Sequence, residues 1–204
     1  GLFGNLRIPA SLVAGAALGS AFGLPLVPSK DGLVLGMVKR IYALLMLGSL
    51  SSMLLTVLLA TICMNDIALN PTKRLAKNPS DYITRYYSLE WMLVKSNFLW
   101  GNIIFAIGSM LRGWVFLSCP LVARGVLGIM GSFALIASSI VLEYSKRQTD
   151  KSLIQQVADS IQLIFNRMKL NPMFALGTIA WTATLLYLIA IFPHMANYMI
   201  SHQH

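Results

Sequence analysis

Between Arg40 and Asp66 the chain carries no charge, and within that interval Ile41–Met64 reads "IYALLMLGSLSSMLLTVLLATICM". As a helix these twenty-four residues extend about 36 Å, more than the roughly 30 Å of hydrocarbon in a bilayer. A run this long and this apolar has few places to go in water. Composition extends the constraint to the whole chain: 11% of residues are charged and 56% hydrophobic, and the mean hydropathy is +0.69. A soluble domain of average composition carries about a quarter charged residues. So few charges leave too little polar surface to cover a globule, so the apolar faces must meet lipid or large partners.

Three further runs have the length of a span. Residues 91–111 begin at Trp91 and end before Arg112 and Trp114, which suit a membrane interface. Residues 125–144 carry a single acid, Glu143, at their end, and residues 173–195 lie between Pro172 and the region of His194. A fifth candidate covers 8–27 within the Ala- and Gly-rich segment 1–40; its Gly15, Gly19 and Gly23 recur every four residues, a spacing that lets helix backbones approach closely. The alternative for 8–27 is a flexible lead-in lying in the interface. The expected fold is all-α: one polytopic membrane domain over 1–204, with four spans and a possible fifth. Gly48, Gly101, Gly108, Gly128, Gly131 and Gly177 read as packing positions along these helices.

The basic residues orient the chain. Sixteen Lys and Arg face seven Asp and Glu, and the bases sit mainly between the apolar runs, so they read as topology signals rather than as a nucleic-acid surface. With four spans, loops 65–90 and 145–172 carry nine bases against six on the other side; if 8–27 also crosses, Arg7 joins them and the balance becomes ten to five. Both counts place these loops on the stromal, matrix or cytoplasmic face. In the second loop, residues 152–170 place Leu153, Val157, Ile161, Ile164 and Met168 at helical spacing opposite Gln155, Gln156, Asp159, Gln162, Asn166 and Lys169. That predicts an amphipathic helix in the membrane surface, with Arg147, Arg167 and Lys169 on lipid headgroups; a partner-binding helix is the alternative. Asn171-Pro172 ends it. Ser80-Asp81 is a candidate cap for a short helix leading toward Tyr86.

The polar residues inside the spans are the candidate sites. Ser88, Lys95, Asn102 and Ser109 are seven apart and form one stripe, beside a second row of Trp91, Phe98, Phe105 and Arg112. Lys95 is read as the shoulder of a helix that starts before the membrane, with its ammonium snorkelling to the interface. Asn102 lies deeper and needs hydrogen-bond partners where water is scarce; a contact to another helix is expected first, a ligand second. His194 is a candidate axial ligand for a chlorophyll or haem, and His202 and His204 read as a polar tail. Cys63 and Cys119 have no metal spacing and fall near opposite faces of the membrane, so no bridge is expected. No HExxH, GxSxG, Walker A or GxGxxG occurs, and neither an enzyme nor a metal site is expected.

Two resemblances bear on function. Glu90, Lys95, Asn97 and Phe98 copy the acid-to-base spacing of the light-harvesting chlorophyll-binding family. The base is Lys rather than Arg, bulky residues follow it, and Glu143 is followed by "YSKR" at the wrong offset; the chain is not a member. "NLRIPASLVAGAALGSAFGLP" and "ITRYYSLEWMLVKSNFLWGNIIFAIGSMLRGW" resemble segments of uncharacterised multi-span plastid membrane proteins of algae and plants. That resemblance implies a nuclear-encoded thylakoid or plastid-envelope protein, with the chloroplast thylakoid membrane expected first; the mitochondrial inner membrane is the alternative. It also implies an accessory or linker subunit of a photosystem–antenna assembly, partnered by other membrane subunits, lipids, chlorophyll and carotenoid, with Asn102 and His194 as pigment contacts. The competing expectation is a small transporter or channel with its path along Lys95, Asn102 and Ser109.

Overall fold

The computed structural model describes residues 2–23, 33–70, 86–116, parts of 124–139, and 153–201. Every element among the described residues is helical: α1 (Leu2–Ala21), α2 (Leu33–Leu69), α3 (Ser88–Phe116), α4 (Leu153–Leu170) and α5 (Pro172–Ser201). Three of them contain stretches long and apolar enough to cross a membrane: Val34–Leu69, Ser88–Phe116 and Pro172–Ala190. These contain or largely overlap the expected spans 41–64, 91–111 and 173–195. The expected span at 125–144 is described only at 125, 127–132, 135, 136 and 139, and Ser80-Asp81 and most of loop 65–90 lie outside the described residues. α1 is not among the three, since Asn5, Arg7 and Pro9 dilute its apolar run. It also begins and ends earlier than the expected 8–27. Gly23 N donates to the carbonyl of Ser20 at 3.1 Å and closes the last turn.

The chain divides into two compact units. The first contains α1, α2 from Ile41 onward, and α3. The buried residues of α2 in this unit are Tyr42, Met46, Ser49, Met53, Thr56, Ala60 and Cys63. Their spacing alternates four and three, which is the 3.5-residue repeat of a left-handed helix–helix seam. α1 answers with Phe3, Ala10, Ala14, Ala17 and Ala21, and α3 is preceded by Tyr87 and continues the row with Val94, Gly101 and Gly108. Phe3 and Val94 share a cluster with Ala60 and Cys63, while Ala17 and Ala21 share one with Tyr42 and Met46, joined by Phe105 and Leu111. α1 and α3 therefore both run antiparallel to α2. Alanine and glycine hold the helices close enough for methionine to fill the gaps between them.

Two contacts fix the register. A Cβ on Gly101 would stand 2.8 Å from Met53 Cε and 3.3 Å from both Met53 Cγ and Ser52 Cβ, and one on Gly108 would stand 2.6 Å from Met46 Cε. These glycines are notches, one heptad apart, and Met53 and Met46 fill them. At the far end the Phe3 ring meets Tyr87 and Trp91 edge-on, with centroids 6.1 and 5.2 Å away, a favoured aromatic geometry.

The second unit contains α4 and α5, which meet at Asn171. Asn171 Oδ1 accepts hydrogen bonds from the backbone N–H of Met173 at 3.0 Å and Phe174 at 3.2 Å. This is an N-cap, with Pro172 at the first helical position where a missing N–H costs nothing. α4 has the most amphipathic sequence of the five helices and matches the expected 152–170 within one residue. It folds back along α5, so that Ile161 and Leu186 line the same groove.

Candidate functional site

The polar stripe of α3 runs beside the helix seam and not along it. Lys95, Asn102 and Ser109 are half-buried, whereas Val94, Gly101 and Gly108, one position earlier in each heptad, are buried. A displacement of one residue turns a side chain by about 100° around a helix, which carries the stripe to the flank of the bundle.

On that flank the polar groups turn toward their own helix. The side-chain amide of Asn102 donates to the Phe98 carbonyl at 2.7 Å, and that of Asn97 donates to the Leu93 carbonyl at 2.8 Å. Asn102 thus finds its donor's partner one turn back, where another helix was expected. Its Oδ1 accepts no hydrogen bond among the described residues. Lys95 Nζ lies 5.6 Å from the centroid of the Trp91 ring. Trp91 is one turn toward the helix start, so the ammonium reaches in the direction a snorkelling lysine takes.

The polar contact between helices is a different one. Ser49 Oγ donates to the Gly101 carbonyl at 2.8 Å, with both residues buried. The missing Cβ at Gly101 lets α2 approach, and the hydroxyl then reaches a backbone oxygen of α3. The signal was present in the sequence as the small-residue run Gly48–Ser52 opposite the Gly101/Gly108 pair. Neighbouring hydroxyls are spent locally: Thr56 Oγ1 donates to the Ser52 carbonyl at 3.0 Å and Thr61 Oγ1 to the Val57 carbonyl at 2.7 Å.

Polar groups also tie each end of the bundle. At one end Arg112 Nη1 donates to Ser20 Oγ at 3.0 Å, and Tyr42 OH donates to the Ser20 carbonyl at 2.5 Å. Both partners meet the last turn of α1, where carbonyls lack helical donors and a cation is favoured. Arg112, expected as an interface anchor, therefore also joins α3 to α1. At the other end Tyr87 OH donates to Asp66 Oδ2, while Asn70 Nδ2 donates to Asp66 Oδ1. Ser20, Asp66 and Tyr87 carried no periodic signal, and the place of Tyr42 in the apolar period did not name the partner of its hydroxyl, because each of these bonds joins residues distant in sequence.

The remaining expected residues fall as follows. Among the described residues no atom lies within 4 Å of where a Cβ on Gly15 or Gly19 would stand, and the helix face turned into the bundle is the alanine row Ala10, Ala14, Ala17 and Ala21. Gly23 lies against Arg112, whose Nη2 is 3.4 Å from where a Cβ would stand. Arg167 and Lys169 are exposed in the last turn of α4. His194 is a helical residue of α5 whose side chain lies outside the described set, and Arg147, Cys119, His202 and His204 lie outside the described residues. Cys63 is buried as a free thiol. Among the described residues no three of His, Cys, Asp and Glu converge as a metal ion would need. Compared with protein-family models, with curated proteins and with solved structures, the chain finds no match in any of the three.

Proposed function

We infer that the protein is an integral membrane accessory subunit whose helices serve to pack against neighbouring subunits, lipid and pigment. The observation that carries this reading is the division of its side chains. Polar side chains such as Thr56, Asn97 and Asn102 are turned onto their own backbone, and those of Ser49 and Arg112 lie between the helices. Large apolar side chains such as Ile8, Leu12, Trp100 and Ile107 are exposed on the outside. A chain arranged this way offers its outer faces as its working surface.

Five crossings fit this arrangement better than four. α1 packs along the charge-free stretch of α2, from Cys63 at its start to Tyr42 at its end. If that stretch of α2 is at bilayer depth, α1 shares it, and Arg7 joins the side of loop 65–90 as in the more asymmetric charge count. The span at 125–144 completes the five. The narrower setting is a photosystem–antenna assembly in the thylakoid, with chlorophyll or carotenoid at Asn102 and His194. It rests on the resemblance of two segments to plastid membrane proteins.

The test is co-migration. Extracted in mild detergent, the protein should run with a large complex on a native gel, and pigment absorbance should accompany that band if the setting is photosynthetic. Gly15→Trp/Gly19→Trp places bulk on a face that no described residue covers, so it should release the protein from the complex while leaving it folded. A parent protein that always runs alone would falsify the subunit reading. A transport path along Lys95, Asn102 and Ser109 is the competing reading, supported by the half-burial of all three. It requires reconstituted Lys95→Ala and Asn102→Ala variants to change a measurable flux.

A further inference from the structure

Between α4 and α5 runs an open groove of about 490 Å³. Ile161, Phe165 and Met168 form one wall, and Ile179, Ala183 and Leu186 the other. This volume is in the range of small-ligand sites. Among the described residues that line it, Thr178 and Thr182 carry the hydroxyls. Each is spent on its own helix, to the Phe174 carbonyl and the Thr178 carbonyl, both at 2.9 Å. Nothing along the groove asks an occupant for a hydrogen bond, so the occupant is apolar along its length. The wall from α5 belongs to a stretch able to cross a membrane, where the apolar matter at hand is acyl chain.

The end of the groove near Asn171 is different. Met168 lines it there, and Arg167 and Lys169 flank Met168 in the exposed last turn of α4. Lys169 also follows Phe165 by four residues, which sets it beside the apolar wall. An apolar slot with two cations at one end is complementary to an amphiphile with a long tail and an anionic head. Adjacent guanidinium and ammonium groups suit a phosphate, to which Arg presents paired donors and Lys a point charge.

The geometry points to a specific anionic phospholipid site in the second unit, with one acyl chain in the α4–α5 groove and the phosphate against Arg167 and Lys169. It gives α4, which folds back along α5 where a helix flat in the membrane surface was expected, the role of selecting a lipid. The site rests on the membrane reading of α5 and is independent of whether the protein is a subunit of a larger complex.

Lipid selection by the purified full chain tests it. The protein in detergent is incubated with equimolar phosphatidylglycerol and phosphatidylcholine of identical acyl chains, and retained lipid is counted by native mass spectrometry. The parent should retain phosphatidylglycerol in preference. Arg167→Gln/Lys169→Gln, with helix content checked by circular dichroism, should reduce that preference by about thirtyfold, from a charge contribution of about 1 kcal/mol per base. Ala183→Trp should fill the groove and lower retention of both lipids, with helix content unchanged by circular dichroism. Equal retention of the two lipids by the parent, an undiminished preference in the double variant, or full retention with the groove filled overturns the site. A third arm offers oleate: retention above that of phosphatidylglycerol overturns the assignment to a phospholipid.

Discussion

Gly101 and Gly108 look alike in the sequence, yet a methyl group has different consequences at each. At Gly108 the crowded atom is the terminal methyl of Met46, and the next contact is Leu45 Cβ at 3.7 Å; a methionine end can swing away. At Gly101 the methyl would press on Met53 Cε, Met53 Cγ and Ser52 Cβ together, and pushing the helices apart also strains the Ser49 hydrogen bond. Gly101→Ala should therefore destabilise the protein by about 1–3 kcal/mol, the usual range for overpacking, and Gly108→Ala by clearly less. Reversible unfolding in mixed detergent micelles ranks them, and equal effects would contradict the notch geometry. Ser49→Ala removes one hydroxyl from between the helices; its cost should be about 0.6 kcal/mol, since interhelical hydrogen bonds in membranes contribute modestly. Asn102 shows the limit of reading residues singly. Its need for a partner was legible, but an amide can satisfy that need one turn back on its own helix, and sequence does not choose between the two.

At the scale of elements, α2, α3 and α5 were legible because a membrane helix is specified by a local property, the length of an apolar run. α4 was legible to within a residue because its period and its Asn-Pro end are local as well. Asn171→Ala removes the oxygen that accepts two backbone N–H groups at the corner. The expected loss is about 1 kcal/mol, read as a lower unfolding midpoint and earlier proteolysis near residue 171. α1 was the element that local properties described least well. The glycine spacing suggested one packing face, whereas the bundle uses the alanine row about half a turn away, on the opposite side of the helix. Both rows are small enough to pack. What chooses between them is the position of Phe3, whose ring must reach Tyr87 and Trp91, and that fixes the rotation of α1 about its axis. Phe3→Ala should cost about 3 kcal/mol or more by the usual scale for buried aromatics, and it should loosen α1 preferentially. Faster hydrogen exchange in α1 than in α3 would show this; uniform exchange across both helices would count against it.

At the scale of the whole molecule, the antiparallel run of α1 and α2 makes a prediction about sides. An epitope fused ahead of Leu2 and another inserted after Asn70 should be reached by antibody from the same face of the membrane, and one inserted after Gly23 from the opposite face. Protection of the first two on different faces would refute α1 as a crossing helix. By itself the sequence determined that the chain is helical and apolar enough for a membrane, where its strongest spans lie, and that residues 152–170 form an amphipathic helix. Each of these follows from composition and period over a short window, which tertiary contacts do not alter. Only the tertiary structure decided which glycines are notches and which no described residue covers, that Ser49 rather than Asn102 bonds across helices, and that Arg112 closes onto the end of α1. The physical reason is that several rows on one helix satisfy the same local rules. The row that is buried is the one whose volumes complement a surface distant in sequence: Met53 into Gly101, Met46 into Gly108 and Phe3 against Tyr87 and Trp91.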